Sequence, residues 1–220
     1  MIQPDEIIRS NRKTLAISID HFNRLIVRAP KGCGTERIFA FIQKQEGWIL
    51  RKRAKMAGAG MQLPGEDLNG YRFLLLGKTC EIQLDDGENI RFDGANDKLY
   101  LPKKNARKRL LVWLKENALR IFRKCTDEWS AKMGVQAKSV SVSSAKTRWG
   151  SCSKDDAIRY TFRLLYAPKE VIEYVVVHEL SHIRHKNHSP RFWTEVERYI
   201  PDWKHRREWL KYRGALLEIF

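Results

Sequence analysis

The chain has 220 residues, a formal net charge of +16 and 43% hydrophobic residues, with a mean hydropathy of −0.52. That length suits one large domain or two small ones with a real core, and no apolar run approaches the ~20 residues a membrane span needs. The opening MIQPDEIIRSNRK lacks the apolar stretch of a secretory leader.

In chain order, residues 5–30 alternate in places, with Thr14–Ile19 and Arg24–Arg28 as strands and Asp20–Asn23 as the turn of a hairpin. Ala29-Pro30-Lys31-Gly32 ends it. From Glu36 to Met56, apolar residues at mixed helical spacing predict a helix or a pair of helices. Gly58–Gly70 reads as a linker. Tyr71–Lys78 and Thr79–Leu84 read as a second hairpin, and Ile90–Leu101 as short strands around the Gly94-Ala95-Asn96 turn. The character then changes. Asn105 is a candidate N-cap for a long amphipathic helix with Leu111, Leu114, Ala118, Ile121, Cys125 and Trp129 on one stripe and Gly134 at its end. Val140 and Val142 open a strand, Lys146–Cys152 follows, and a return strand covers Ile158–Leu165. Pro168 begins the next helix, and Pro201–Phe220 reads as a terminal helix with Trp203, Trp209, Leu210 and Leu216 inward.

Basic residues cluster at Arg51–Lys55, at Lys103–Arg109 and at Lys204–Lys211. Such charge admits a nucleic-acid or other polyanion partner, although no helix-turn-helix, RNA-binding or zinc-finger signature accompanies it. A solvated basic surface spread over several helices is the plainer reading, since charge alone carries no specificity. The four cysteines, Cys33, Cys80, Cys125 and Cys152, form no CxxC pair, which fits reduced thiols in a cytoplasm.

The informative stretch is Pro168–Trp193. His178-Glu179-Leu180-Ser181-His182 is an HExxH motif inside an apolar helix carrying Val171, Ile172, Val175, Val176 and Val177. Residues at i and i+4 share a helix face, so both imidazoles can hold one metal ion. An accidental pair of histidines is disfavoured in a buried helix, because unpaired buried charge is costly. Zinc suits two such nitrogens, a third protein ligand and one open position. His185 lies on the same stripe, but seven residues of rise, about 10.5 Å, put it beyond the ion that His178 holds. The helix must therefore end near residues 184–187, with Asn187 able to take the left-handed conformation, so that the chain returns His188 to the metal. Ser189-Pro190 starts the next helix. The spacing HExxHxxxxxH is that of the metzincins, yet His185 stands at their glycine and no methionine follows His188. Glu195 and Glu197 remain alternative third ligands, and His205 or Cys152 could close a purely structural site.

RWGSC at Arg148–Cys152, YVVVHELSH at Tyr174–His182, NHSPRFW at Asn187–Trp193 and Pro201-Asp202-Trp203 together resemble the YgjP-like metal-dependent hydrolases. Ser10-Asn11-Arg12 and Leu75-Leu76-Gly77 fit the same family more weakly. The resemblance implies a zincin-type metallopeptidase, distantly related to the SprT and WLM proteases, with His178, His182 and His188 as zinc ligands and Glu179 as catalytic base. It also leaves open a nucleotide or phosphate-ester hydrolase, since members are sometimes described as nucleoside-triphosphate pyrophosphatases, and a nucleic-acid-associated protease. Neither a Walker-type glycine loop nor an acidic magnesium cluster supports the nucleotide reading.

The expectation is therefore an α+β protein. A β-rich part at 1–102 leads into a zincin-like core at 103–220, the two forming separate regions or one continuous domain. The expected activity is a zinc-dependent cytoplasmic hydrolase acting on peptide or protein through a zinc-bound water and Glu179. Arg148, Trp149 and Gly150 are candidate substrate contacts, with a strand edge for the peptide backbone and a guanidinium for a carboxylate or phosphate. A core Trp149, a bulge at Gly150 and an ion-paired Arg148 would be the structural alternative.

Overall fold

The computed structural model describes residues 2–19, 24–50 and 68–213. The protein is mixed α+β and divides into two compact units, Met1–Leu63 and Pro64–Phe220. The expected turn at 20–23, the basic cluster at 51–55 and most of the expected linker lie outside the described residues.

In the first unit, β1 (Glu6–Ser10), β2 (Ala16–Ile19) and β3 (Leu25–Pro30) form a sheet in the order β1-β3-β2. β2 pairs antiparallel with β3, as a hairpin requires, while β1 lies parallel to β3 on its other side. Strand β3 turns Leu25, Val27 and Ala29 to the core, where they meet Ile38 and Ile42 of α1 (Thr35–Lys44) and Ile49. Alternate residues of a strand share a face, and residues four apart share a helix stripe, so this small core follows from the two periods.

The second unit begins with a four-stranded sheet in the order β4-β5-β7-β6, built from β4 (Arg72–Leu75), β5 (Lys78–Asp85), β6 (Arg91–Asp93) and β7 (Lys98–Pro102). The β4–β5 turn uses positive φ at Leu76 (52°) and Gly77 (80°). A Cβ at Gly77 would sit 2.9 Å from the Pro168 Cα, so glycine is required twice over, by conformation and by contact. Next comes α2 (Ala106–Met133), which buries Leu110, Leu114, Ala118, Phe122 and Cys125 and ends at Gly134 with φ 62°. Asn105 stands at its N-cap in the left-handed region and makes no side-chain capping bond, so it serves by conformation and not by its amide.

A second sheet follows in the order β8-β10-β9, from β8 (Ser139–Ser143), β9 (Gly150–Cys152) and β10 (Ala157–Thr161). β10 runs parallel to β8 and antiparallel to β9, which leaves β9 at the edge. The return strand expected to reach Leu165 stops at Thr161. A 3-10 turn at Phe162–Tyr166 takes over, every side chain of it buried. Then come α3 (Lys169–Arg184), α4 (Pro190–Tyr199) and α5 (Trp203–Tyr212). α3 packs against α2, α4, α5 and β9, with Val176, Val177 and Leu180 fully buried. Among the described residues, no helix is long and apolar enough to cross a membrane.

Candidate metal centre

α3 carries His178, Glu179 and His182 on its C-terminal half. The helix ends at Arg184 because His185 turns to an extended conformation (φ −125°, ψ 94°). Asn187 has no positive φ, so the left-handed stop expected there is not how the chain turns. The freed His185 carbonyl instead accepts a hydrogen bond from His182 Nδ1 at 3.0 Å. That bond fixes the tautomer of His182 and leaves its Nε2 lone pair free, the arrangement metal-binding histidines use.

The turn brings His188 back over the helix. One ring nitrogen from each of His178, His182 and His188 falls within 4.8 Å of the others, and the Nε2 atoms of His178 and His188 stand 3.1 Å apart. Nitrogens around a tetrahedral ion at 2.0–2.1 Å lie about 3.3 Å apart, so the His178–His188 separation matches, and three imidazoles gathered this closely suit a divalent first-row metal. Burial, helped by the neighbouring histidines and Arg207, pushes His178 down to about 3 and so keeps it neutral, as a ligand must be. Burial lowers His182 as well.

The other candidate ligands are drawn elsewhere. Glu195 pairs with Arg184, the His185 ring stays out of the cluster, and neither Glu197, His205 nor Cys152 joins it among the described residues. The Cys152 thiol is raised to about 11, mainly by burial, so it is not a ready thiolate.

Glu179 is 5% exposed. Burial raises its carboxyl to about 8, against a modest opposing pull from Arg148. What lies over it is the backbone of β9. A Cβ at Gly150 would meet Glu179 Oε1 at 2.6 Å and Cγ at 2.8 Å. Gly150 is thus the residue that lets the edge strand close onto the acid, a contact invisible to sequence spacing. Trp149 is half-buried, and its carbonyl accepts from the Thr161 amide at 3.0 Å. Arg148 is exposed, near enough for its charge to act on Glu179.

Two residues of α4 that sequence reasoning quoted without a role complete the site. Phe192, fully buried, has its ring centroid 4.9, 4.5 and 4.8 Å from those of His178, His182 and His188. Trp193 stacks on His188 at 5.6 Å and 24°. Their positions three and four residues after the helix-starting Ser189, on the inward face of a strongly amphipathic helix, were the available signal.

The YgjP-like, metallopeptidase domain family model matches residues 13–213. The crystal structure of the metallopeptidase zymogen of Pyrococcus abyssi abylysin is similar to a part of the chain. It is 23% identical, covers 42% of this chain and 93% of that chain, and gives a TM-score of 0.39. No curated protein matches.

Proposed function

This chain belongs to the YgjP-like metallopeptidase family and is by that membership a metal-dependent peptidase, and we propose that its metal is zinc, held by His178, His182 and His188. When bound, zinc would polarise a scissile carbonyl and acidify water. Glu179 is the general base, accepting a water proton on its carboxylate and passing it to the leaving amine. Burial raises this carboxyl to about 8 in the metal-free chain, and a divalent cation held beside it would favour the carboxylate, the form that can accept the proton.

The edge strand β9 offers free backbone groups beside that carboxylate, suited to an extended peptide added as a further strand. Gly150 lets β9 lie against the carboxylate, and Trp149 borders it. Arg148, with a planar fork of donors, orients a substrate carbonyl or carboxylate. The observation that carries the reading is the gathering of three imidazole nitrogens within 4.8 Å beside a buried glutamate.

The test compares zinc-loaded wild type with Glu179→Gln on unfolded proteins and peptides, with and without chelator, and measures bound metal in both. The expected result is chelator-sensitive cleavage that falls by roughly 100-fold or more in the variant while metal content stays equal. Undiminished cleavage by Glu179→Gln would remove the glutamate from the reaction, and protein purified free of metal that gains no activity with zinc would remove the metal.

A further inference from the structure

The three histidines are not held alike. His178 is embedded in α3, its Nδ1 buried without a hydrogen-bond partner among the described residues so that packing alone holds the ring, and His182 is fixed by its hydrogen bond to the His185 carbonyl. His188 is exposed, sits on the short turn between α3 and α4, and its ring makes no hydrogen bond to a protein oxygen among the described residues. Histidine ligands ordinarily owe their orientation to such a bond on the second nitrogen. What His188 has instead is the face of Trp193, beside the Phe192 ring that all three histidines share.

That face is itself backed. Trp193 stacks on Trp203, the first residue of α5, at 4.2 Å and 19°. The Arg207 guanidinium of α5 lies 5.2 Å from the Trp193 ring, and Lys204 lies 5.6 Å from the Trp203 ring. Trp203 is 8% exposed and its indole N–H is buried with no acceptor among the described residues. A buried donor left unpaired costs free energy, so contacts of the ring, not its polar edge, keep the indole there. Stacking at these separations contributes through both area and quadrupole alignment.

We infer that Trp193, braced by Trp203 and α5, is the positioning residue for His188, so that the C-terminal helix sets how tightly the centre holds its metal. The inference rests on His188 being a ligand. A flat ring against the imidazole restricts its rotation and aims Nε2 at His178, doing for this ligand what a hydrogen bond does for His182.

The test uses the full chain and Co2+ as probe, with affinity from chelator competition and coordination from the visible absorption bands of bound Co2+. Wild type is compared with Trp193→Phe, Trp193→Leu, Trp193→Met and His188→Ala. Leu and Met remove the flat face in two different shapes, and whichever keeps the far-ultraviolet dichroism of wild type is read. That variant should bind Co2+ about tenfold more weakly, with altered bands, as loss of a ligand-orienting contact does. Trp193→Phe, which keeps a ring, should stay within about threefold of wild type. Wild-type affinity in the Leu or Met variant, or equal weakening in Phe, overturns the brace while leaving the metal centre intact. Wild type that takes up no Co2+ fails the metal centre itself. His188→Ala binding as tightly as wild type removes the ligand on which the brace acts.

Discussion

One added methyl group at position 150 should be felt at Glu179, because the space it needs is already filled by Oε1 and Cγ. Gly150→Ala must push either β9 or the carboxylate aside. Cleavage should fall about tenfold or more, as misplacement of a catalytic group by an ångström does, with bound metal unchanged. Equal loss of metal would mean that the helix and not the carboxylate had moved. The metal-free protein offers a second measurement. His178, lowered from 6.5 to about 3, lends stability that is complete above pH 6.5 and lost as pH falls through 3. Glu179, raised from 4.5 to about 8, has the opposite sign: its contribution is complete below pH 4.5 and lost as pH rises through 8. Relative to Glu179→Gln, metal-free wild type should therefore lose stability across pH 4.5–8, at a slope approaching about 1.4 kcal/mol per unit. Denaturant titrations of both proteins would show it, and a difference that is independent of pH would mean the carboxyl is not buried as described. The three histidines could be read from sequence because i, i+4 spacing and a helix end are local facts. Gly150 over Glu179 could not be, since strand and helix meet only after the chain has folded.

At the scale of elements, the end of α3 is where several segments are tied. Arg184 donates to the Met133 carbonyl at 2.6 Å and the Gly134 carbonyl at 3.2 Å, the unsatisfied C-terminal groups of α2, and it pairs with Glu195 of α4. A cation at a helix C-terminus is favourable both as donor and against the dipole. Arg184→Ala should cost on the order of 1–2 kcal/mol in denaturant unfolding, the side chain being partly solvated. A cost within error of zero would show these bonds to be replaced by water. Gly77→Ala should cost at least about 1 kcal/mol, through its positive φ and its contact with Pro168, by the same measurement. The hairpins and the long helix were legible because their periods are 2 and 3.6. The parallel pairing of β1 with β3 and of β8 with β10 was not, since parallel partners lie far apart in sequence and no turn announces them. The three-residue β9 is too short to show alternation.

For the whole molecule, the change of character near residue 103 marks where strands give way to helices, whereas the chain's contacts divide it at Leu63/Pro64. Strands β4–β7 therefore belong to the unit that holds the site, with the Leu76-Gly77 turn against the start of α3. Composition registers a switch of element type and not a boundary between cores, which is why the two positions differ. A ligand bound only by the folded state stabilises it by mass action, so removing zinc should lower the unfolding temperature of the metal-loaded protein. The loss is about 2.7 kcal/mol where free zinc stood at 100 times its dissociation constant. Calorimetry with and without chelator would record it, and the shift should shrink in His182→Ala. An equal shift in that variant would place the stabilising ion elsewhere.

The border position of β9 has a consequence for which proteins such an enzyme could process. A backbone docked there as proposed must surrender its own internal pairings before it can lie alongside Gly150–Cys152. A tightly knit target would keep its strands to itself, while a frayed tail, a long loop or a damaged, half-unravelled chain could be drawn in. Selection would then operate on how loosely the victim is folded, more than on the letters around the cut.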